Sequence, residues 1–245
     1  MEFLKMRTQA FQNLDCVRNG RLHNVNLLEA PRQTFSLLDA MNIADTIVTD
    51  DSALPPFDCH ISLMDLPKLV GTTLDTIPSK TPYLTVPAKT KEKWEARLGP
   101  RQNFRLGIVW ASNPENRKLL HKSIDLPLLA PIVRMPDITV YSLQVGRDGE
   151  AVKQFGGRIT DVAPELTDFS ETAGVISQLD LVVSVDTSVA HLTGALGYPV
   201  WTLVPLAGDW RWLLEREDSP WYSSMRLFRQ TKRNDWKPVI GQLQT

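Results

Sequence analysis

Seven short apolar runs recur along the 245-residue chain, at residues 24–28, 45–48, 57–63, 105–110, 138–143, 179–185 and 200–204. A strand with one face in water alternates apolar and polar residues, whereas a strand covered by helices on both faces does not. These runs are rich in β-branched residues and separated by helical or turn-like segments, so the expectation is an α/β chain built on parallel sheets. The apolar stretches, such as residues 126–133, fall well short of the roughly 18 residues a spanning helix requires.

Prolines 78, 82, 87 and 100 punctuate a segment whose charged run at 89–97 suits solvent, and this is the candidate linker. It divides the chain into an incomplete N-terminal Rossmann-like half at 1–88, a linker at 89–102 and a C-terminal Rossmann-like half at 103–245. The 27 basic and 28 acidic residues leave a net charge of -1, which gives no electrostatic footprint for nucleic acid or anionic membrane. Cys16 and Cys59 have neither a disulfide framework nor a C-x-x-C spacing, which favours a reducing compartment over structural zinc. Charges in the first seven residues exclude a signal-peptide reading of that segment, and a cytoplasmic protein is expected.

The segment from Leu181 to Val200 carries the most chemistry. A fully apolar strand ends at Asp186, the hydroxyl residues Thr187 and Ser188 follow, a short helix runs through Ala190 to Leu196, and Gly197 and Pro199 stop it. In an open parallel sheet, ligands bind at the carboxyl ends of the strands, where helix N-termini offer unpaired N–H groups and a positive dipole end. A diphosphate would suit Thr187 and Ser188, and His191, four residues after Thr187, lies on the same helix face. The residues alone leave a second interpretation open, in which Asp186 and Thr187 cap the helix and His191 is a hydrogen-bonded core histidine.

The run from Ser184 to Pro205 resembles the signature of family 9 glycosyltransferases, the heptosyltransferase-like group with a two-domain GT-B fold. The pieces Pro56-Phe57-Asp58-Cys59-His60, Gly71 to Pro78, Gly107-Ile108-Val109-Trp110-Ala111, Ser142-Leu143-Gln144, Pro164 to Phe169 and Asp209 to Leu214 are similar to the glycosyltransferase region attached to bacterial tetratricopeptide repeats. That resemblance makes the C-terminal half the nucleotide-sugar half. Asp186, Thr187, Ser188 and His191 would hold the diphosphate and adjoining ribose or sugar, faced by the turn containing Trp110, Ser112 and Asn113. Lys122 would neutralise phosphate charge, Gln144 would meet the base or ribose, and in the cluster of Asp209, Trp210, Arg211 and Trp212 the arginine and two tryptophans would stack a base or sugar face. Read without the family, Lys122 is equally a solvated surface lysine, Gln144 a loop amide, and Trp210 and Trp212 core anchors for the region of Trp221, Tyr222 and Trp236.

The implied activity is metal-independent transfer of a sugar from a nucleoside-diphosphate donor to a glycan, lipid or protein acceptor, with no cofactor and no paired-carboxylate metal site. Transfer also requires a base for the acceptor hydroxyl. In the family this is an acid on a Gly-rich loop after the first strand, but residues 1–19 read as a polar helical segment followed directly by what resembles the second strand. A truncated N-terminal half is therefore expected, completed by a repeat domain or second chain, with His60 and Asp65 at the end of the 57–63 strand as substitute base candidates. The alternative is a GT-B module that binds a nucleotide or a protein partner without turnover. An epimerase of the same architecture is a weaker option, and an NAD dehydrogenase is disfavoured because no G-x-G-x-x-G follows a strand.

Overall fold

The computed structural model describes residues 7–9, 17–18, 21–22, 27–57, 60–113, 115 and 117–244. The chain divides into one compact unit of Met1–Ile77 with Asp168–Ser170 and another of Pro78–Thr167 with Glu171–Thr245.

In the first unit, β1 (Arg7–Gln9), the short hairpin β2 (Val17–Arg18) and β3 (Arg21–Leu22), and β4 (Leu27–Ala30) precede helix α1 (Phe35–Asp39) and β5 (Thr46–Thr49). β4 pairs parallel with β5, burying Leu27, Leu28 and Ala30 with Leu37 and Leu38 of α1. β1 pairs antiparallel with the other side of β4. One expectation is corrected here: Arg7–Gln9 and Val17–Arg18 are strands rather than parts of a polar helix. Cys16, Cys59 and the remainder of the segment at 1–19 lie outside the described residues.

Among the described residues of 57–63, where a strand was expected, none is in a strand. They are loop and turn leading into α2 (Leu66–Leu69), and Phe57 is exposed. The run includes Asp58 and His60, and the prolines at 55 and 56 supply no N–H groups for a sheet ladder.

The second unit opens with α3 (Ala88–Leu98), where a linker was expected. Only Trp94 of this helix is buried, and one aromatic ring suffices to dock it: Trp94 Nε1 donates to Glu171 Oε2 at 2.7 Å, while Lys93 and Arg97 pair with Glu171 and Glu165. Gly174 makes room for the ring, since a Cβ there would stand 2.4 Å from Trp94 Cδ1.

After α3 come β6 (Phe104–Val109), α4 (Ala130–Val133), β7 (Ile138–Ser142), β8 (Ile159–Asp161), α5 (Phe169–Ile176), β9 (Leu181–Val185), α6 (Ser188–Ala195), β10 (Val200–Val204), β11 (Met225–Arg229) and α7 (Lys237–Gln242). The six strands form one all-parallel sheet in the order β8-β7-β6-β9-β10-β11. This is the doubly wound arrangement, in which the connections reverse direction between β6 and β9. Strand β9 is buried at all five positions, as expected of a central strand covered on both faces. One face of the sheet packs Leu106, Ile108, Val183, Val185 and Leu203 against Ile132, Val239 and Ile240. The expected α/β class with parallel sheets is what the structure shows.

Candidate functional site

The carboxyl ends of β6 and β9 are neighbours in register, with Val109 opposite Ser184, so the residues that follow both strands meet at the reversal point of the sheet. After β9 the chain leaves the sheet at Asp186 and enters α6 with Thr187 in an extended conformation. The Thr187 side chain does not cap the helix. It bonds back to Ser184 Oγ at 3.0 Å, so no side chain at the cap position takes up the N–H groups at the start of α6.

Asp186 is buried and receives Lys122 Nζ at 2.5 Å on Oδ2, with both side chains at or below 10% exposure. Lys122 is thus no surface lysine. Its Nζ reaches the strand end because residues 117–122 fold back after β6, where the backbone N–H groups of Ser112 and Ile124 are held by Ser123 Oγ and the Trp110 carbonyl. His191 projects from α6 so that Nε2 stands 3.9 Å from Asp186 Oδ1. Its Nδ1 is 3.0 Å from the Tyr222 hydroxyl, and its ring stacks on Trp212 with centroids 4.9 Å apart. Burial pulls the imidazole down from 6.5 to about 4; the attraction of Asp186 opposes this and Arg211 reinforces it.

Asp209 and Trp210 follow β10. Asp209 accepts the Arg211 backbone N–H at 3.1 Å and its guanidinium at 2.7 Å, capping the turn Trp210–Trp212. Burial alone would raise the Asp209 carboxyl, but the Arg211 N–H and guanidinium outweigh it and hold the group below its ordinary range. Trp210 is 58% exposed, with Arg211 over its ring at 4.6 Å and Trp221 against it edge-on.

The structure therefore brings Lys122, Asp186, Thr187, Ser188 and His191 together, with Asp209 and Trp210 on the adjoining loop. Four other expected residues, Trp110, Gln144, Ser112 and Asn113, stand apart from this group. Trp110 is 3% exposed and belongs to the core. Gln144 is buried and its amide is engaged: Oε1 accepts the N–H groups of Trp110 and Ala111 at 3.1 and 2.8 Å, clamping the end of β6 to that of β7. Ser112 is buried against Ser123, whereas Asn113 is exposed and accepts from Glu115 N–H. In the first unit, His60 is exposed with its ring edge-on to Phe57, and Asp65 lies in a turn ahead of α2, so neither stands at a strand end.

Tyr222 and Trp212 frame His191; the sequence places Trp212 in the stacking cluster after β10 but gives Tyr222 no role at the site. A glycine inside α6 was the available signal: a Cβ at Gly194 would lie 2.5 Å from the Tyr222 ring, so only glycine admits it.

Residues 146–205 match the model of Glycosyltransferase family 9 (heptosyltransferase). The family 9 match takes in Asp186, Thr187, Ser188 and His191. Protein FlbA of Caulobacter vibrioides is 26% identical over 200 residues, covering 77% of this chain and 33% of FlbA. The chain thus spans about a third of that relative's length. Among solved structures, the family 9 glycosyl transferase of Veillonella parvula superimposes with a TM-score of 0.51 at 10% identity, covering 83% of this chain and 56% of that one, and shares its fold. The E. coli ADP-heptose lps heptosyltransferase II superimposes at 0.45 and 16% identity over 71% of this chain and 58% of that one. Among the described residues, no helix is long and apolar enough to cross a membrane.

Proposed function

We propose that the second unit is the nucleotide-sugar half of a glycosyltransferase, acting on a nucleoside-diphosphate sugar without a metal ion. One observation carries this: the N-terminus of α6, Lys122, Asp186 and His191 converge at the reversal point of an all-parallel sheet, within the region matched by family 9 or beside it. The leaving diphosphate would sit on the N–H groups of Ser188 and Val189, with the Thr187 and Ser188 hydroxyls as further donors. Lys122 would approach it from the side already occupied by Asp186. Because Lys122 is paired with Asp186, Arg211 with Asp209, and His191 is uncharged, fixed dipoles would stabilise the leaving group more than net positive charge does. Asp186 Oδ1, not engaged by Lys122, would accept a hydroxyl of the ribose or sugar. Trp210 would offer its exposed ring to an apolar sugar or base face.

The acceptor, a glycan, lipid or protein hydroxyl, and association with a repeat domain belong to the same proposal. A second reading, a nucleotide-binding module without turnover, is favoured by one observation: His60 and Asp65, the base candidates, stand in loops and not at a strand end. The test is release of nucleoside diphosphate from ADP- and UDP-sugars by the full chain. Release that depends on Lys122 supports transfer chemistry; binding without release supports the module; neither binding nor release overturns both.

A further inference from the structure

Resting on the reading of this crevice as a diphosphate cradle, we infer that Tyr222 is a positioning residue, holding His191 in the neutral form protonated on Nε2 so that the imidazole meets a phosphate oxygen as a hydrogen-bond donor. The His191 ring is fixed on two sides. Trp212, fully buried, covers one face at 4.9 Å with an interplanar angle of 20°, and Tyr222 approaches edge-on at 5.8 Å with its hydroxyl 3.0 Å from Nδ1. Tyr222 is itself held in place, because the missing side chain of Gly194 lets its ring lie directly on α6. The Tyr83 phenol lies beside that of Tyr222, and the Tyr83 N–H is anchored on the Ala195 carbonyl at 3.0 Å.

The choice of nitrogen follows from what each side of the ring faces. On the Nε2 side stands Asp186, the carboxylate that accepts Lys122 Nζ in a buried ion pair. A bare lone pair on Nε2 would point toward that negative charge, so the proton belongs there. Nδ1 is then the acceptor, and Tyr222 donates to it. Burial raises the Tyr222 phenol far above its ordinary value, so the donor stays protonated. The other charged groups near the ring, Arg211 and Asp209, are paired with each other. The 3.9 Å between Nε2 and Asp186 Oδ1 is too long for a hydrogen bond, which leaves the Nε2 proton available to a ligand oxygen.

The experiment is nitrogen NMR of the imidazole side chains in the labelled full chain at about pH 7, where an unperturbed histidine is mostly neutral. The chain has four histidines, and His191→Gln assigns the signal. Wild type is expected to show His191 protonated on Nε2 and bare on Nδ1. Tyr222→Phe keeps the ring against Gly194 and removes only the hydroxyl. It is expected to convert the signal to a mixture of the two tautomers and to weaken binding of ADP or UDP about three- to tenfold, the scale of one hydrogen bond. A wild-type His191 protonated on Nδ1, or a Tyr222→Phe spectrum identical to wild type, overturns the assignment. The wild-type spectrum decides the tautomer even if the variant fails to fold. Should the tautomer respond as expected while neither nucleotide binds wild type, the positioning by Tyr222 stands and the diphosphate reading falls.

Discussion

Lys122 and Asp186 show how far the surroundings of a residue outweigh its type. A lysine in a polar stretch is ordinarily solvated, yet this one is buried on a buried carboxylate. Removing one partner leaves the other charge uncompensated, which in such sites costs about 3–5 kcal/mol. Lys122→Met should therefore lower the urea-unfolding free energy by that amount, whereas the surface exchange Lys153→Met should change it by less than about 0.5 kcal/mol. His191 makes stability depend on pH. The unfolded chain takes up this proton near 6.5 and the folded one only near 4, so the unfolded state binds more protons between those values and stability falls as pH falls through them. The stabilisation is present in full above about 6.5 and is gone below about 4, a loss on the order of 3 kcal/mol. Unfolding free energies of wild type and His191→Gln across this range should converge toward low pH. Parallel curves would mean that the imidazole titrates normally in the fold.

Among the elements, α3 and α6 illustrate what the sequence conveys. The parallel strands were legible because burial on both faces leaves uninterrupted apolar runs, and β6, β7, β9 and β10 fall within or beside four of them. The start of α6 was legible because a strand end, hydroxyl residues and a terminating glycine stand in consecutive order. Helix α3 was not, because ten of its eleven residues face outward or are half-buried and its single anchor, Trp94, gives no periodic stripe. β11 was missed because Arg226 and Arg229 interrupt its apolar pattern; it lies at the sheet edge, with Arg226 exposed and the Arg229 guanidinium bonded to the Trp212 and Arg216 carbonyls. Tyr222 lies 31 residues beyond His191, and only the fold brings the two side chains together. If α3 is an integral part of the second unit, Trp94→Ala should cost about 3–5 kcal/mol in a single cooperative transition. A linker would tolerate the change with no shift in melting temperature.

At the scale of the whole molecule, the second unit is a complete doubly wound sheet whose reversal point carries the family 9 match, and the chain as a whole spans about a third of the curated relative. Near-zero net charge is compatible with anion binding there, because helix N–H groups and locally paired cations do not need a basic surface. The central claim is that this crevice holds a nucleoside diphosphate. Isothermal titration of ADP, UDP and their sugars into the full chain tests it directly, with Thr187→Ala as the comparison because that change removes one hydroxyl contact and should cost only about 1 kcal/mol of stability. The account predicts that at least one nucleotide binds in the micromolar range and that Thr187→Ala, still folded by circular dichroism, binds it about tenfold more weakly. No binding by any nucleotide to the folded wild type, or equal affinity in the variant, would contradict it.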